Sequence, residues 1–180
     1  MQNTIVTSRL LIRPLRLTDS AAVHAYRSDR ELMRYQSWKP EHESEVRQFI
    51  RGMQGLAPGI PGTWYQFAIV LLASDRLIGD CGVHVPLEQV DAAELGMTLT
   101  REYHGQGYAT ETLHALISFC FETLHLHSII ARLDADNQPS LALTQRCGFQ
   151  PARATQYGMP EDDAELFFVL KRTARTGDTR

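Results

Sequence analysis

The clearest hydrophobic pattern in the chain is helical and covers residues 107–124. Its apolar positions recur at the spacing of one buried helix face, at Ala109, Leu113, Leu116, Ile117, Cys120 and Leu124. The apolar run just before it, residues 95–99, has the length of a strand. The sequence therefore predicts a strand, a glycine-bearing loop and a long helix, in that order.

Shorter strand-like and helix-like patterns fill the rest of the chain. Strands are predicted over residues 9–17, 65–72, 77–85, 93–99, 128–133 and 164–170, the first of them as an edge strand. Further helices are predicted over residues 20–28, 43–53 and 139–147, and residues 52–62, rich in Gly and Pro, as a loop. Strands that cluster and then alternate with helices predict an α/β (α+β) fold, a single mixed sheet with helices on both faces.

Length, composition and charge narrow the class of protein. Hydrophobic residues make up 43% of the 180 residues and charged residues 22%, which is typical of a globular domain. We expect one domain over residues 1–172 and a polar tail over residues 173–180. The formal net charge of −3, without a basic stripe, argues against nucleic-acid binding.

The cysteines and the N-terminus bear on the compartment. Cys81, Cys120 and Cys147 are widely spaced and odd in number, which favours free thiols in a reducing compartment over a metal site. The sequence has no visible secretory signal and no apolar run of membrane-spanning length. We expect a cytoplasmic protein without a metal and without membrane association. Its oligomeric state stays open, with a homodimer among the alternatives.

The glycine-bearing loop before the long helix is the main candidate for a binding site. Gly105 and Gly107 allow the backbone to turn sharply and to approach a ligand closely. The free N–H groups and the positive dipole end of the helix start, from Gln106 to Thr110, suit a phosphate or pyrophosphate. The sequence thus predicts a phosphorylated small molecule as the ligand.

Three known kinds of phosphate-binding site are candidates for this loop. A Walker loop ends in Gly-Lys-Ser/Thr, whereas Gly107 is followed by Tyr108 and Ala109, so that motif is excluded. A dinucleotide fold needs a third glycine where this chain has Thr110. It also needs an acidic residue on the next strand, and Asp134 lies farther along the chain than that residue should. The third candidate is the pyrophosphate of coenzyme A.

Three segments resemble motifs of the GNAT acetyltransferase superfamily. Residues 104–109, His-Gly-Gln-Gly-Tyr-Ala, resemble its acyl-CoA loop Gln/Arg-x-x-Gly-x-Gly/Ala, although His104 departs from the usual Gln or Arg. Residues 137–149 resemble the next motif, an Asn, a short helix and a terminal Gly-Phe. Residues 7–14 resemble the opening strand of the branch that acetylates N-terminal amines of ribosomal proteins.

The resemblance implies a fold, a co-substrate and a reaction. Strands 93–99 and 128–133 should run parallel and splay apart, with acetyl-CoA in the notch between them. Acetyl-CoA would donate its acetyl group directly to a primary amine, on a protein N-terminus or a small molecule. The residues implied in binding it are Met97, Thr98, Leu99, Gly105, Gln106, Gly107, Tyr108, Ala109, Thr110, Asn137 and Ser140.

The same resemblance suggests the acid. Ser140 is the predicted acid for the leaving thiolate, because it follows Asn137 as Ser does in the related branch and Thr144 replaces a Tyr used elsewhere in the superfamily. The alternative is that Ser140 only caps its helix.

Glu94 is the predicted base for the amine, since it lies on the strand that should face the acceptor. The alternatives for the base are His84, a water relay, no dedicated base at all, and the acidic segment Glu161, Asp162, Asp163 and Glu165.

Aromatic residues near the predicted acceptor side complete the set. We expect Tyr35, Gln36, Trp38 and Trp64 to line the acceptor site, although Tyr35 and Trp38 are equally suited to a core.

Two other functions remain as alternatives, a nucleotide-binding oxidoreductase on a dinucleotide fold and a non-catalytic acyl-CoA sensor.

Overall fold

The computed structural model describes residues 3–172, which form one eight-stranded sheet with helices on both faces. The strands are β1 Ile5–Val6, β2 Leu10–Pro14, β3 Trp64–Leu71, β4 Leu77–His84, β5 Ala92–Leu99, β6 Ser128–Asp134, β7 Gln150–Pro151 and β8 Glu165–Lys171. The α-helices are α1 Ser20–Arg27, α2 Arg30–Met33, α3 Glu43–Met53, α4 Tyr108–Ser118 and α5 Gln138–Arg146. The strand order is β1-β2-β3-β4-β5-β6-β8-β7.

The predicted α/β fold is confirmed, and the long elements lie within a few residues of their predicted positions. The short elements β1, α2 and β7 were missed, because two to four residues carry too little periodicity to show. β1 pairs with β2, so β2 is not the edge strand that the sequence suggested. α4 is regular only to Ser118, and a π-helical turn, Phe119–Thr123, replaces the last predicted turn. The predicted tail, residues 173–180, lies outside the described residues.

Each face of the sheet has its own core, because side chains alternate along a strand. Phe67 and Ile69 of β3 belong to the core that contains Leu116 of α4. Ala68 and Val70, which alternate with them along β3, belong to the core that is built with α1 and α3 on the other face. We call this second side the α1/α3 face.

The two central strands, β5 and β6, are parallel and separate soon after they meet. They pair only from Ala92 with Ser128 to Glu94 with Ile130. β5 nevertheless stays paired with β4 as far as Leu99. Beyond Glu94 the two strands enclose a notch, as predicted, and within the described residues no strand pairs with β5 on that side.

Candidate active site

The loop between β5 and α4 is shaped by two glycines. Gly105 and Gly107 have φ angles of 72° and 82°, in the left-handed region that glycine adopts without strain. Gly107 is the N-cap residue of α4 and has no side chain to cap the helix. The first N–H groups of α4 are therefore left for a ligand, and the positive end of the helix dipole lies among them.

Two side chains of the loop fix its path. Nε2 of His104 lies 2.9 Å from the carbonyl oxygen of Leu99, the last residue of β5. The side-chain amide of Gln106 donates to the carbonyl oxygen of Glu102 at 2.7 Å. His104 thus ties the loop to the end of the strand, which gives a physical use to the residue that departs from the family motif.

The wall of the notch is the outer part of β5. Thr98 and Leu99 are buried, and Met97 packs against the core on the α4 side. The hydroxyl of Thr98 is buried without a hydrogen-bond partner among the described residues. Because the side chains of a strand point to its two faces, β5 presents backbone along the notch.

The opposite side of the notch leads into α5, which is capped by Asn137. Oδ1 of Asn137 accepts a hydrogen bond from the backbone N–H of Ser140 at 3.2 Å. Ser140 therefore lies in the first turn of α5 and is not its N-cap, which corrects the capping alternative. The Ser140 side chain is half-buried, and its hydroxyl makes no hydrogen bond to residues 3–172.

Three side chains form a row across the sheet on the α1/α3 face. Trp64 pairs with His84, and His84 pairs with Glu94. The Trp64 and His84 rings stack with their centroids 5.1 Å apart. Oε2 of Glu94 lies 3.8 Å from Nδ1 of His84, which is buried and has no hydrogen-bond partner in the described part of the chain.

Burial sets the protonation of this row. It raises the pKa of Glu94 above the ordinary value, while nearby Arg132 opposes that shift and Glu165 adds to it. Burial also lowers the pKa of His84, with Glu88 opposing the shift. A carboxylate with a raised pKa beside a neutral imidazole is suited to accepting a proton near neutral pH.

Two glycines that the sequence reasoning did not select lie under Trp64. A Cβ atom at Gly82 would lie 3.0 Å from the indole, and one at Gly96 would lie 3.5 Å from it. The indole therefore lies across two strands that carry no side chains at these positions. Glycine inside a strand is itself a signal of close approach, so the sequence did contain a hint.

The other predicted acceptor residues occupy different places. The hydroxyl of Tyr35 donates to the carbonyl oxygen of Asp136, next to the cap of α5, at 3.4 Å. Gln36 is half-buried beside it. Trp38 packs against Phe49, with ring centroids 4.6 Å apart, and belongs to the α1/α3 core.

An acidic cavity lies between β8 and the segment before it, and two residues of its lining, Arg132 and Glu165, also act on the pKa of Glu94. Its volume is about 350 Å³. Its charged lining residues are Arg132, Arg153, Glu161, Asp162, Asp163 and Glu165. Glu165 is paired with Arg132 at 2.8 Å, whereas Asp162 and Asp163 are exposed. The lining is therefore acidic on balance.

The cysteines are poorly suited to carrying an acyl group. Cys81 and Cys120 are fully buried. Burial raises the pKa of the Cys81 thiol well above its ordinary value, and it raises the pKa of Cys120 to about 12. Burial also raises the pKa of the Cys147 thiol. A thiol attacks a thioester as its thiolate, which all three environments disfavour.

A parallel strand pair that opens beside a free helix start is the arrangement that the resemblance implied for a transferase with a phosphorylated acyl donor. The sequence model of the acetyltransferase (GNAT) domain matches residues 9–150. N-acetyltransferase p20 of Bacillus licheniformis is 32% identical over 94% of this chain and 97% of its own. The chain belongs to the GNAT family and is an acetyltransferase that uses acetyl-CoA.

Solved structures agree with this assignment. A putative ribosomal-protein-serine acetyltransferase from Vibrio cholerae is 29% identical, with a TM-score of 0.75 over 94% of this chain and 97% of that one. RimJ of Mycobacterium smegmatis, solved in complex with CoA-disulfide, shares the fold with a TM-score of 0.74 and 20% identity, over 94% of this chain and 88% of its own.

The family assignment removes the two alternative functions, the oxidoreductase and the non-catalytic sensor. A doubly wound dinucleotide fold has a mostly parallel sheet. Here β5 and β6 are the only parallel strand pair within residues 3–172.

No helix among the described residues is long and apolar enough to cross a membrane.

Proposed function

We propose that the protein transfers the acetyl group of acetyl-CoA directly to a cationic primary amine, on a small molecule or at a protein N-terminus. The observation that carries the proposal is the position of Glu94. It belongs to the last pair of residues that β5 and β6 share, so it lies where the notch opens. A base at this point would meet an amine that approaches from the α1/α3 face while the thioester lies in the notch.

The donor would lie along β5. Residues 105–110 would hold the phosphates at the start of α4, and the backbone of Met97, Thr98 and Leu99 would polarise the thioester carbonyl. Leu99 lies five residues after Glu94 along the strand, a length of about 17 Å. Such a separation between the phosphate site and the base suits a donor whose reactive group is at the end of a long arm.

The acid and the base would lie on opposite sides of the notch. Ser140, in the first turn of α5, has a hydroxyl that makes no hydrogen bond to the described residues and is free to protonate the leaving thiolate. Asn137 uses its oxygen in the cap and keeps its N–H groups for the pantetheine arm. Glu94 would take the proton from the amine, directly or through His84.

The acceptor wall favours a positive amine. Trp64 is 39% exposed, and an exposed part of its indole would attract a cation. The adjoining cavity is acidic on balance. Tyr35 and Gln36 would border the site from the α5 side. The similarity to the Vibrio cholerae protein supports an amine on a protein as one acceptor.

The test is a panel of amines assayed by release of free CoA thiol. The panel contains alkyl monoamines, diamines and peptides with a free N-terminus, each beside its N-acetylated form as a blank. Direct transfer requires both substrates bound together, so double-reciprocal plots should intersect. Parallel plots, with an acetylated protein detected by intact mass before amine is added, would contradict the direct mechanism.

A further inference from the structure

Three successive residues in the turn between β1 and β2 converge on one carboxylate in the first turn of α4. Glu111 accepts hydrogen bonds from the hydroxyls of Thr7 at 2.6 Å and Ser8 at 3.0 Å. It also accepts from the backbone N–H of Arg9 at 2.9 Å and from Nε of Arg9 at 2.7 Å. The opening turn of the chain is thereby fixed to the start of α4.

The Arg9 side chain continues past Glu111 to the loop itself. Its Nη1 donates to the carbonyl oxygen of Gln106 at 3.0 Å. Its guanidinium carbon lies 4.2 Å from the centroid of the Tyr108 ring. Nη2 lies 3.4 Å from where a Cβ atom of Gly107 would be. Arg9 thus contacts Gln106 and Tyr108, the residues on either side of Gly107.

The bond to Gln106 constrains the next N–H group. In a trans peptide the carbonyl oxygen and the following N–H point in opposite directions, and none of the described peptide bonds is cis. Because Arg9 holds the Gln106 oxygen, the N–H of Gly107 points away from Arg9. The peptide is then fixed before any ligand arrives, which removes an ordering cost from binding.

Arg9 also offsets an unfavourable charge. The hydrogen bonds from Thr7 and Arg9 lower the pKa of Glu111 to about 2, so Glu111 is ionised at neutral pH. A carboxylate in the first turn of a helix stabilises that helix but repels a phosphate bound at the same end. The Arg9 guanidinium, paired with Glu111, reduces this repulsion.

We infer that Arg9 is a positioning residue for the phosphates of acetyl-CoA, which fixes the loop peptide and offsets the charge of Glu111. The inference rests on the proposed function in one respect, that residues 105–110 hold those phosphates. It predicts that Arg9 matters for the part of the donor that carries phosphate and not for the thioester.

The experiment compares two donors that share a thioester, acetyl-CoA and S-acetylpantetheine, which lacks the phosphates. Arg9→Ala should raise Kd for CoA and lower kcat/KM for acetyl-CoA by about tenfold, the size expected for one charge-assisted contact. With S-acetylpantetheine kcat/KM should be unchanged. Equal losses with both donors, or no loss with acetyl-CoA, would overturn the inference.

Arg47→Ala is the control. Arg47 lies on α3, which packs on the opposite face of the sheet from α4, and it pairs with Glu43 at 3.7 Å. Its removal should leave both donors unaffected. If Arg9→Ala does not fold, Arg9→Lys, which keeps the cation and loses the fork, should show the same selective loss at a smaller size.

Gly107→Val tests the assignment of the loop to the phosphates separately from the role of Arg9. If this variant binds CoA as tightly as wild type, the assignment of the loop to the phosphates fails. If Gly107→Val weakens binding and Arg9→Ala does not, only the role of Arg9 fails.

Discussion

Glu94 Oε2 lies 3.8 Å from His84 Nδ1, on adjacent strands of the same sheet face. Burial raises the pKa of Glu94 and lowers that of His84, so both shifts disfavour the charged forms. The pair is therefore not a stabilising ion pair, and we propose it as the site that accepts a proton from the protonated amine.

Glu94→Gln should lower kcat most at pH values below the pKa of the amine acceptor. The loss should shrink as pH rises, because the free amine then needs no base. The pH–rate profile of the variant with one amine measures this. A profile parallel to that of wild type would remove Glu94 from the role and leave His84, Asp163 or Glu165 as the base.

The same substitution should not cost stability at neutral pH. A carboxyl whose folded-state pKa is raised stabilises the folded state below its unfolded pKa, and this contribution is lost as pH rises through the folded pKa. Above the folded pKa of Glu94 the buried carboxylate is therefore unfavourable, and Gln removes that charge. Equal or higher Tm together with lower activity would separate catalysis from folding.

Ser140→Ala should cut kcat by about 10²-fold with little change in the affinity for acetyl-CoA, the usual size of one acid contribution. Stability should hardly change, because Asn137 and not Ser140 caps α5. Asn137→Ala is the comparison, since loss of a cap costs about 1 kcal/mol. If Ser140→Ala keeps the wild-type kcat, Ser140 is not the acid for the leaving thiolate.

Gly107→Val should weaken acetyl-CoA binding at least tenfold, about 1.4 kcal/mol. Gly55→Val is a control for strain, because Gly55 has the same φ of 82° and no atom near its missing Cβ. Both variants should lose similar stability, and only Gly107→Val should lose affinity by calorimetry. Ala109→Glu, which adds a carboxylate to the first turn of α4, should weaken binding as well.

Glu111→Gln should change how the free energy of unfolding depends on pH. The pKa of Glu111 falls from 4.5 to about 2, so its ionised form stabilises the folded state above pH 4.5. That contribution is lost as pH falls toward 2. The difference in unfolding free energy between wild type and Glu111→Gln, measured with urea, should shrink over this range. A difference independent of pH would mean that the contacts with Thr7 and Arg9 do not stabilise the charge.

The loop and the elements around it were predictable because their signals are local. The period of α4 follows from side-chain spacing along one helix, and the anion loop follows from glycines beside a helix start. The splayed strands were implied by the resemblance of three ordered motifs to GNAT proteins. The identity of the donor, acetyl-CoA, was therefore predicted from the sequence.

Contacts between distant segments were not predictable in the same way. Arg9 and Glu111 are 102 residues apart in the chain, and nothing in either local pattern indicates the other. Trp38 and Trp64 both fitted an aromatic wall, yet Trp38 packs against Phe49 and Trp64 covers Gly82 and Gly96. Periodicity assigns a residue to a face of its own element, whereas only the packing of elements decides which residue it meets.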